Sequence, residues 1–382
     1  MTRRNEHRTW VEVSKRALVS NARQFQAFVG PSTAVMAVVK ANAYGHGLLE
    51  TAKSVATEVA WFGVDNLGEA EILKKAKLKK PILILGWTPS WQLPAAIRAG
   101  FRLTVSTVNQ VKEAATAAKA VGKKAFLHLK IDTGTTRQGA DLRQLPDLTA
   151  AFRASKRLVV EGLSTHYANV EDTSDRSYAA LQLSRYEEAE RFLDAQGVRP
   201  SLRHTASTAA ALVLPAARLD LVRVGIGLYG LWPSRETKVS VAGESAHDFE
   251  LTPALAWRTR IALVREVKRG TPVSYGLTET MKTDGRVAVL PVGYWDGYDR
   301  GLSSIGEVLV RGQRARIIGR VCMNMMMIDV TNIPNVKAYD IATLIGTDGR
   351  ETVTAEELAA KCGTVNYEVV TRINPILPRI II

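Results

Sequence analysis

The stretch Ala34-Val-Met-Ala-Val-Val39 contains no polar residue, and Lys40 and the loop Ala41-Asn-Ala-Tyr-Gly-His-Gly47 follow it directly. An unbroken apolar run of this length indicates a strand buried on both faces, as in a parallel sheet covered by helices. Seven similar runs follow, at residues 61–64, 82–85, 102–105, 125–131, 158–163, 202–204 and 219–224, with helical stretches such as 67–74 and 179–195 between them. Eight strand–helix repeats predict an α/β fold, a (β/α)8 TIM-like barrel, with an open doubly wound sheet as the alternative.

The sequence pattern changes after the last of these runs. Residues 233–247 are polar and weakly patterned, which predicts a domain boundary. Short strands interrupted by glycines then follow, at residues 256–264, 286–290, 307–310, 316–318 and 326–330, and they are typical of a small, mainly-β domain. We therefore predict a barrel over residues 12–240 and a C-terminal β domain over 241–382, with residues 1–11 left free to pair with the second domain.

The composition narrows the class of protein. In 382 residues, 46% are hydrophobic and 23% are charged, the balance of a packed globular chain. The two cysteines, Cys322 and Cys362, have no C-x-x-C spacing, which favours a reducing compartment and argues against a structural zinc site. The first nine residues lack the apolar core of a secretory signal, and no apolar run approaches the roughly 18 residues of a membrane span. We expect a cytoplasmic protein with no membrane partner.

The net charge of +14 leaves several kinds of ligand open. The basic excess is spread along the chain, with one short cluster at residues 74–80, and it suits nucleic acid, an anionic small ligand or a solvated basic surface. The alternation of aromatic and basic residues that marks an RNA-binding strand is missing, so we expect no nucleic-acid partner. No two of the six histidines have the spacing of metal ligands, so we expect no metal.

Lys40 is the first residue to suggest chemistry. It ends a buried strand, and in a parallel barrel the carboxyl ends of the strands form the rim where active sites are built. Apolar neighbours favour the neutral amine, which can attack a carbonyl to form a Schiff base. Taken alone, the residue equally suits a strand-end lysine that reaches into solvent.

The block Val39-Lys-Ala-Asn-Ala-Tyr-Gly-His-Gly47 closely resembles the cofactor-lysine signature of the alanine racemase family. The resemblance continues in order along nearly the whole chain, through residues 129–139, 221–230, 272–276, 290–298, 319–325 and 366–379. It implies pyridoxal 5′-phosphate (PLP) bound to a barrel that carries a C-terminal β domain. It also implies racemisation of alanine, which supplies D-alanine for cell-wall synthesis, by a homodimer whose active sites are shared between subunits.

The same resemblance assigns roles to individual residues. Racemisation needs a proton donor on each face of one carbon, and the resemblance gives these roles to Lys40 and Tyr275. It implies that Arg137 and Met323 bind substrate and that Lys130, as a carbamate, holds Arg137. The cofactor contacts that it implies, besides Lys40, are Tyr44, His166, Thr208, Arg223, Gly225, Ile226 and Tyr367.

Two of the assignments that the resemblance implies are also consistent with the chemistry of the residues. Gly225-Ile-Gly-Leu-Tyr-Gly230 has the spacing of a dinucleotide-binding loop, but it falls at the eighth strand and a polar linker follows it. Its backbone N–H groups suit a phosphate instead. Arg223 can donate to the pyridine nitrogen of PLP without giving up its proton, which favours racemisation over transamination. The alternative for Arg223 is a structural ion pair with Asp220.

Two positions depart from the family pattern. Ser207-Thr208 stands where the family commonly has Asn-Ser, and Asn324 replaces the commoner aspartate. Three other functions remain open. The first is a non-catalytic PLP-binding barrel, and the second is a broad-specificity racemase, acting on serine for example, or a related PLP decarboxylase. The third is a basic nucleic-acid module, which predicts salt-dependent binding that we expect to be absent. The related decarboxylases place a cysteine–aspartate pair where this chain has Tyr275 and Cys322-Met-Asn324, and the carrier barrel has no β domain.

Overall fold

The computed structural model describes residues 6–244 and 249–382. The chain divides into two compact units. We call Ala17–Ala41 with Thr51–Pro253 the barrel unit, and we call the described part of Met1–Arg16 with Asn42–Glu50 and Ala254–Ile382 the β unit. The sequence-based boundary between residues 240 and 241 stays a prediction. Helix α10, defined below, lies within the polar segment 233–247, and residues 245–248 of that segment are outside the described part.

The strands within the described residues are, in chain order, β1 (Thr9–Val13), β2 (Ala34–Val38), β3 (Trp61–Val64), β4 (Ile82–Ile84), β5 (Arg102–Val105), β6 (Ala125–Lys130), β7 (Leu158–Ser164), β8 (Leu202–His204), β9 (Leu221–Val224), β10 (Leu255–Arg260), β11 (Leu263–Val267), β12 (Gly285–Leu290), β13 (Glu307–Val310), β14 (Gln313–Arg316), β15 (Met326–Asp329), β16 (Ile341–Asp348), β17 (Glu351–Val353) and β18 (Arg379–Ile381). The helices are α1 (Lys15–Val29), α2 (Lys40–Tyr44), α3 (Leu48–Val55), α4 (Leu67–Lys75), α5 (Leu93–Ala99), α6 (Val108–Val121), α7 (Leu145–Arg153), α8 (Ser177–Ala195), α9 (Thr208–Val213), α10 (Arg235–Glu244), α11 (Ala355–Cys362) and α12 (Asn366–Thr371).

The barrel unit is built on eight parallel strands in the order β8-β7-β6-β5-β4-β3-β2-β9. Two backbone hydrogen bonds nearly close the sheet between its end strands: Asp220 N donates to Arg203 O (3.1 Å) and Arg223 N donates to Ala206 O (3.0 Å). The predicted (β/α)8 barrel is therefore confirmed, and the doubly wound sheet is wrong. Each predicted run overlaps one strand, and nearly every residue is buried in β2, β3, β4, β5 and β9.

Helix ends in the barrel unit follow local sequence signals. Asn66 caps α4 and Thr107 caps α6, each through a side-chain oxygen that accepts a backbone N–H of the first turn. Gly100 and Gly122 end α5 and α6 in the left-handed conformation that glycine adopts without strain. These short connections return the chain to the next strand, so that all eight strands run in the same direction.

The β unit contains two sheets. One has the order β14-β13-β16-β10-β1-β18, with β17 paired to β16, and the other has the order β11-β12-β15. The predicted strand at 256–264 is wrong as a single element, because β10 pairs with β1 and β16 while β11 pairs with β12 in the other sheet. The predicted strand at 316–318 is displaced, since β14 ends at Arg316, where its pairing with β13 ends.

The described part of the chain contains no helix with the length and apolar character that crossing a bilayer requires. It also contains no group of three histidine, cysteine, aspartate or glutamate side chains that could hold a metal ion.

Candidate active site

Lys40 begins α2 one residue beyond β2, at the carboxyl end of a barrel strand. The preceding residue, Val39, is fully buried, and its N–H donates to Gly63 O (2.8 Å). From Ala41 to Tyr44 the backbone makes one left-handed turn, with φ between +52° and +53° at four consecutive residues that are not glycine. Such a conformation costs an L-residue roughly 1–2 kcal/mol and persists only where other contacts enforce it.

Contacts on both sides hold this turn in place. In the barrel unit, Ala41 N donates to Glu69 Oε1 (2.7 Å). In the β unit, Gly47 N donates to Asn42 O (2.9 Å) and Leu48 N to Asn42 Oδ1 (3.0 Å). Gly45 has φ +84°, and a Cβ there would lie 1.9 Å from the carbonyl oxygen of Val370, so no other residue fits. Gly45 is therefore required by the backbone geometry, and the Asn42 side chain helps to hold the turn.

Lys130 ends β6 and lies in an electropositive part of the barrel unit. Its Nζ donates to Gln138 Oε1 (3.3 Å). Burial lowers the pKa of this amine to about 7, and the positive charges of Arg223, Arg137 and Lys40 act in the same direction. The neutral amine is thus a substantial form near pH 7. The arrangement brings four basic side chains together at one end of the barrel, which favours an anionic ligand.

Arg137 lies on the loop after β6 and is exposed. The Asp132 carboxylate shapes this loop, because its Oδ1 accepts the N–H groups of Gly134 (2.9 Å), Thr135 (2.9 Å) and Thr136 (3.1 Å). The Asp132 carboxylate is therefore occupied by backbone hydrogen bonds of its own loop. The guanidinium of Arg137 has the planar geometry that binds a carboxylate with two parallel hydrogen bonds.

Arg223, on β9, is a buried cation. Its two terminal nitrogens donate to the carbonyl oxygens of Thr165 (2.8 Å), Thr205 (2.9 Å) and His204 (2.5 Å), and one of them also contacts His204 Nδ1 (3.0 Å). Burial lowers the pKa of Arg223 to about 10. The structural pairing with Asp220 is wrong, because Asp220 binds Arg203 instead (2.8 Å).

His166 lies beside Arg223, with 3.4 Å between its Nδ1 and a terminal nitrogen of the arginine. Burial, together with the charges of Arg223, Lys130, Arg137 and Lys40, lowers the pKa of His166 to about 2. The imidazole is therefore neutral at physiological pH. A neutral ring can accept at Nδ1 the hydrogen bond that Arg223 donates.

The turn at residues 225–227 has an unusual backbone arrangement. Thr208 Oγ1 accepts the N–H of Gly225 (3.0 Å) and faces the N–H of Gly227 (3.5 Å). A Cβ at Gly227 would lie 2.5 Å from the ring of Phe25, and one at Gly230 would lie 1.8 Å from the carbonyl oxygen of Thr252. The two later glycines are thus required by packing, whereas the N–H of Gly225 is engaged by Thr208 within the turn, where Ile226 is buried.

The β unit holds Tyr44 and Tyr367 side by side, with 6.2 Å between ring centroids. Burial raises the pKa of the Tyr44 hydroxyl to about 12, so this group is a neutral donor. The adjacent His46 is buried, and its pKa is lowered to about 4 by that burial.

Tyr275 also belongs to the β unit, and 74% of its surface is exposed. It follows Ser274, whose backbone (φ +69°, ψ −170°) lies in a region that is nearly exclusive to glycine. Ser274 Oγ donates to Arg320 O (2.8 Å) and lies 3.5 Å from Cys322 Sγ, which connects the tyrosine loop to the segment that carries Met323. Met323 is 54% exposed.

Sequence reasoning missed a buried polar group behind Arg223. It consists of two buried histidines, His128 and His204, with the partly buried Glu161 and Arg102. The sequence does contain a signal for this cluster, because His128 and Glu161 interrupt the mostly apolar strands β6 and β7. A polar residue inside a barrel strand needs a buried partner.

Two protein-family models match most of the chain. A family model described as "Alanine racemase, N-terminal domain" matches residues 13–233, and one described as "Alanine racemase, C-terminal domain" matches residues 254–381. The chain is similar to an alanine racemase of Desulforamulus reducens, with 42% identity over 98% of each chain.

Two solved structures extend the comparison. One is an alanine racemase from Bacillus anthracis with bound L-Ala-P (TM-score 0.92, 34% identity, 98% of this chain and 95% of that one). The other is a histidine racemase from Leuconostoc mesenteroides subsp. sake (TM-score 0.88, 31% identity, 98% of each chain).

Proposed function

The chain belongs to the alanine racemase family, and from this premise we propose that it interconverts L-alanine and D-alanine with PLP held on Lys40. The observation that carries the proposal is the set of basic side chains at one end of the barrel unit, Lys40, Lys130, Arg137 and Arg223. Such a set complements a ligand that bears a phosphate and a carboxylate.

The residues of the barrel unit fit the three parts of PLP. Lys40 offers an amine for the aldehyde at a strand end. For the phosphate, the Thr208 hydroxyl accepts the N–H of Gly225 and can still donate its own proton, and the resemblance adds the N–H groups of Gly225 and Ile226. Arg223 is a permanent donor whose direct partners are carbonyl oxygens and neutral rings, which suits an unprotonated pyridine nitrogen. The resemblance adds His166 beside Arg223 and the hydroxyls of Tyr44 and Tyr367.

When bound, PLP supplies an electron sink that acidifies the Cα–H bond of the amino acid. In our proposal the Lys40 amine exchanges a proton with Cα on one face of that carbon, and the Tyr275 hydroxyl exchanges one on the other. Arg137 and the backbone N–H of Met323 orient the substrate carboxylate. Because Arg223 keeps its own proton, the pyridine nitrogen would stay unprotonated and would withdraw electrons from Cα only moderately. This would favour the return of a proton to Cα.

We include the carbamylation of Lys130 in this proposal. A neutral amine attacks carbon dioxide: a C–N bond forms, a proton is released, and the side chain becomes an anion. The lowered pKa of Lys130 makes the neutral form available near pH 7. The product would then lie among Arg137, Arg223 and Lys40, and its charge would offset theirs and hold Arg137.

The proposed assembly is a cytoplasmic homodimer in which Tyr275 acts in the site of the second copy. Large apolar side chains of the β unit are exposed around that tyrosine, in loops joined by backbone hydrogen bonds between residues 294–295 and 322–323. Exposed apolar groups of this kind favour burial in an interface. Both cysteines are free, which suits a reducing compartment.

The experiment is an optical assay of L-alanine and D-alanine with purified protein, with and without added PLP. The proposal expects racemisation in both directions, loss of activity in Lys40→Ala, and exchange of the Cα hydrogen in deuterated water. Serine and histidine test the alternative of a broad or different specificity, since the same fold serves a histidine racemase. Wild-type protein that carries PLP but racemises none of these amino acids would contradict the proposal.

A further inference from the structure

A line of hydrogen bonds runs through the interior of the barrel from Arg223 to Glu161. One terminal nitrogen of Arg223 lies 3.0 Å from His204 Nδ1. His204 Nε2 lies 2.8 Å from His128 Nδ1, and His128 Nε2 lies 3.2 Å from Glu161 Oε2. Both histidines are essentially inaccessible to solvent. The line therefore connects a buried cation to a carboxylate through two imidazole rings.

Arg223 at one end of the line can only donate hydrogen bonds, and the Glu161 carboxylate at the other end can only accept them. Together they determine which ring nitrogen of each histidine carries the proton. Arg223 can only donate, so His204 Nδ1 must accept and the ring proton of His204 must sit on Nε2. That proton is donated to His128 Nδ1, which leaves the proton of His128 on Nε2, directed at the carboxylate of Glu161. A carboxylate can only accept, so each donor meets an acceptor along the whole line. The opposite set of tautomers would place two N–H groups face to face at Arg223.

Packing holds each member of this line in position. A Cβ at position 162 would lie 2.2 Å from His128 Nδ1, so Gly162 makes room for the ring. The indole of Trp61 packs edge-on against His128, with 5.7 Å between centroids. Arg102 binds both oxygens of Glu161 (2.9 and 3.2 Å) and lies over the rings of Trp61 and Phe126.

Burial keeps both rings neutral, as this arrangement of single protons requires. The pKa of His204 lies well below its usual value, and burial is the first cause, with the charges of Arg223 and Lys130 adding to it. The pKa of His128 is lowered by burial as well, against the opposite influence of Glu161.

We propose that Glu161 is a positioning residue for the reaction: acting through His128 and His204, it sets the tautomers that hold Arg223 towards the ring nitrogen of the cofactor. This inference rests on the proposed function, because it assigns Arg223 to that nitrogen. Glu161 touches neither substrate nor cofactor. Arg223 favours His204 Nδ1 as an acceptor from one end of the line. Glu161 accepts the last proton at the other end, which stabilises the same tautomers and keeps a fixed partner for Arg223 on the side away from the ligand.

The test uses holoenzyme labelled with ¹⁵N in its histidine rings, as wild type and in three variants. In wild type, the two-bond couplings should show His128 and His204 both protonated on Nε2. Glu161→Leu leaves the Nε2–H of His128 without its acceptor, so the reverse tautomers compete with the set that Arg223 favours, and at least one ring should show Nδ1 protonation or averaging between tautomers. Glu161→Gln keeps an oxygen acceptor and should keep both wild-type tautomers. Glu190→Leu is the control, because Glu190 binds an arginine, Arg203 (3.2 Å), without any histidine in between.

Kinetics separate positioning from a structural role. Glu161→Leu should lower kcat by about tenfold, the cost of losing one well-placed hydrogen bond to the cofactor, with KM for alanine unchanged and with a shifted visible absorption of the bound cofactor. Glu161→Gln should recover most of kcat. A Glu161→Leu enzyme that melts earlier but keeps wild-type tautomers, absorption and kcat would overturn the proposal. Wild type that binds no PLP or racemises nothing would instead contradict the proposed function.

Discussion

Replacing Lys130 by methionine should stabilise the cofactor-free protein at neutral pH. The substitution keeps the length of the side chain and removes an amine whose pKa is lowered from 10.5 to about 7 in the folded protein. A difference of this size corresponds to about 5 kcal/mol if the group is fully shielded. Because Lys130 is only partly buried, screening by solvent reduces the expected gain to about 3 kcal/mol.

The gain should depend on pH in a defined direction. A lysine whose pKa is lower in the folded state binds more protons when the protein is unfolded, so the stability of wild type rises with pH between about 7 and 10.5. The penalty that methionine removes is therefore largest at and below pH 7. We expect the gain of Lys130→Met to fall to about 1 kcal/mol by about pH 9.5.

The assay is urea unfolding of the cofactor-free protein in buffers freed of carbon dioxide, at several pH values. Lys112→Met, at an exposed position on α6, is the matched control and should show no gain at any pH. Adding bicarbonate should stabilise wild type and leave Lys130→Met unchanged, because only the lysine can form a carbamate. An equal stability of wild type and Lys130→Met, or a difference that does not vary with pH, would refute the reasoning.

Three further substitutions test separate parts of the structure. Gly45→Ala should cost about 3 kcal/mol or more, because its Cβ would meet the Val370 carbonyl, whereas Gly30→Ala, with a similar φ and open space around it, should cost only about 1 kcal/mol in the same unfolding assay. Thr208→Val should lose about 1–3 kcal/mol of stability and bind PLP more weakly, while Thr208→Ser should retain both, since only valine removes the hydroxyl that Gly225 N contacts. Tyr275→Phe should slow removal of the Cα hydrogen from one enantiomer far more than from the other, as initial rates with deuterated alanines would show; equal, small effects matching those of the exposed control Tyr339→Phe would exclude the tyrosine from the reaction.

The barrel was predictable because its strands are buried on both faces. In β2 and β3, for example, nearly every side chain is apolar, and such a run identifies a buried strand without knowledge of the strands that it pairs with. The β unit was harder. Its long strand β16 contains Thr343 and Gly346 and was not predicted, because its position depends on pairing with β10 and on the hydrogen bond between Arg258 and Thr343 Oγ1 (2.6 Å).

The candidate site divides in the same way. Lys40 and the residues around Arg223 stand in contiguous motifs, so the sequence alone singles them out. Glu161 and His128 are 33 positions apart, and only the parallel pairing of β6 with β7, with its irregular register beside His128, makes them neighbours. That irregularity has no local signal in the sequence. The line of hydrogen bonds behind Arg223 therefore emerges only from the folded barrel.

The amine of Lys40 as the attachment point of PLP is the claim on which the other roles depend. The most direct measurement is borohydride reduction of the purified, PLP-loaded protein, followed by mass analysis of its peptides. The account predicts one modified residue, Lys40, and no stable modification in Lys40→Ala. Reduced cofactor attached to Lys130 or to any other lysine, with Lys40 unmodified, would contradict it.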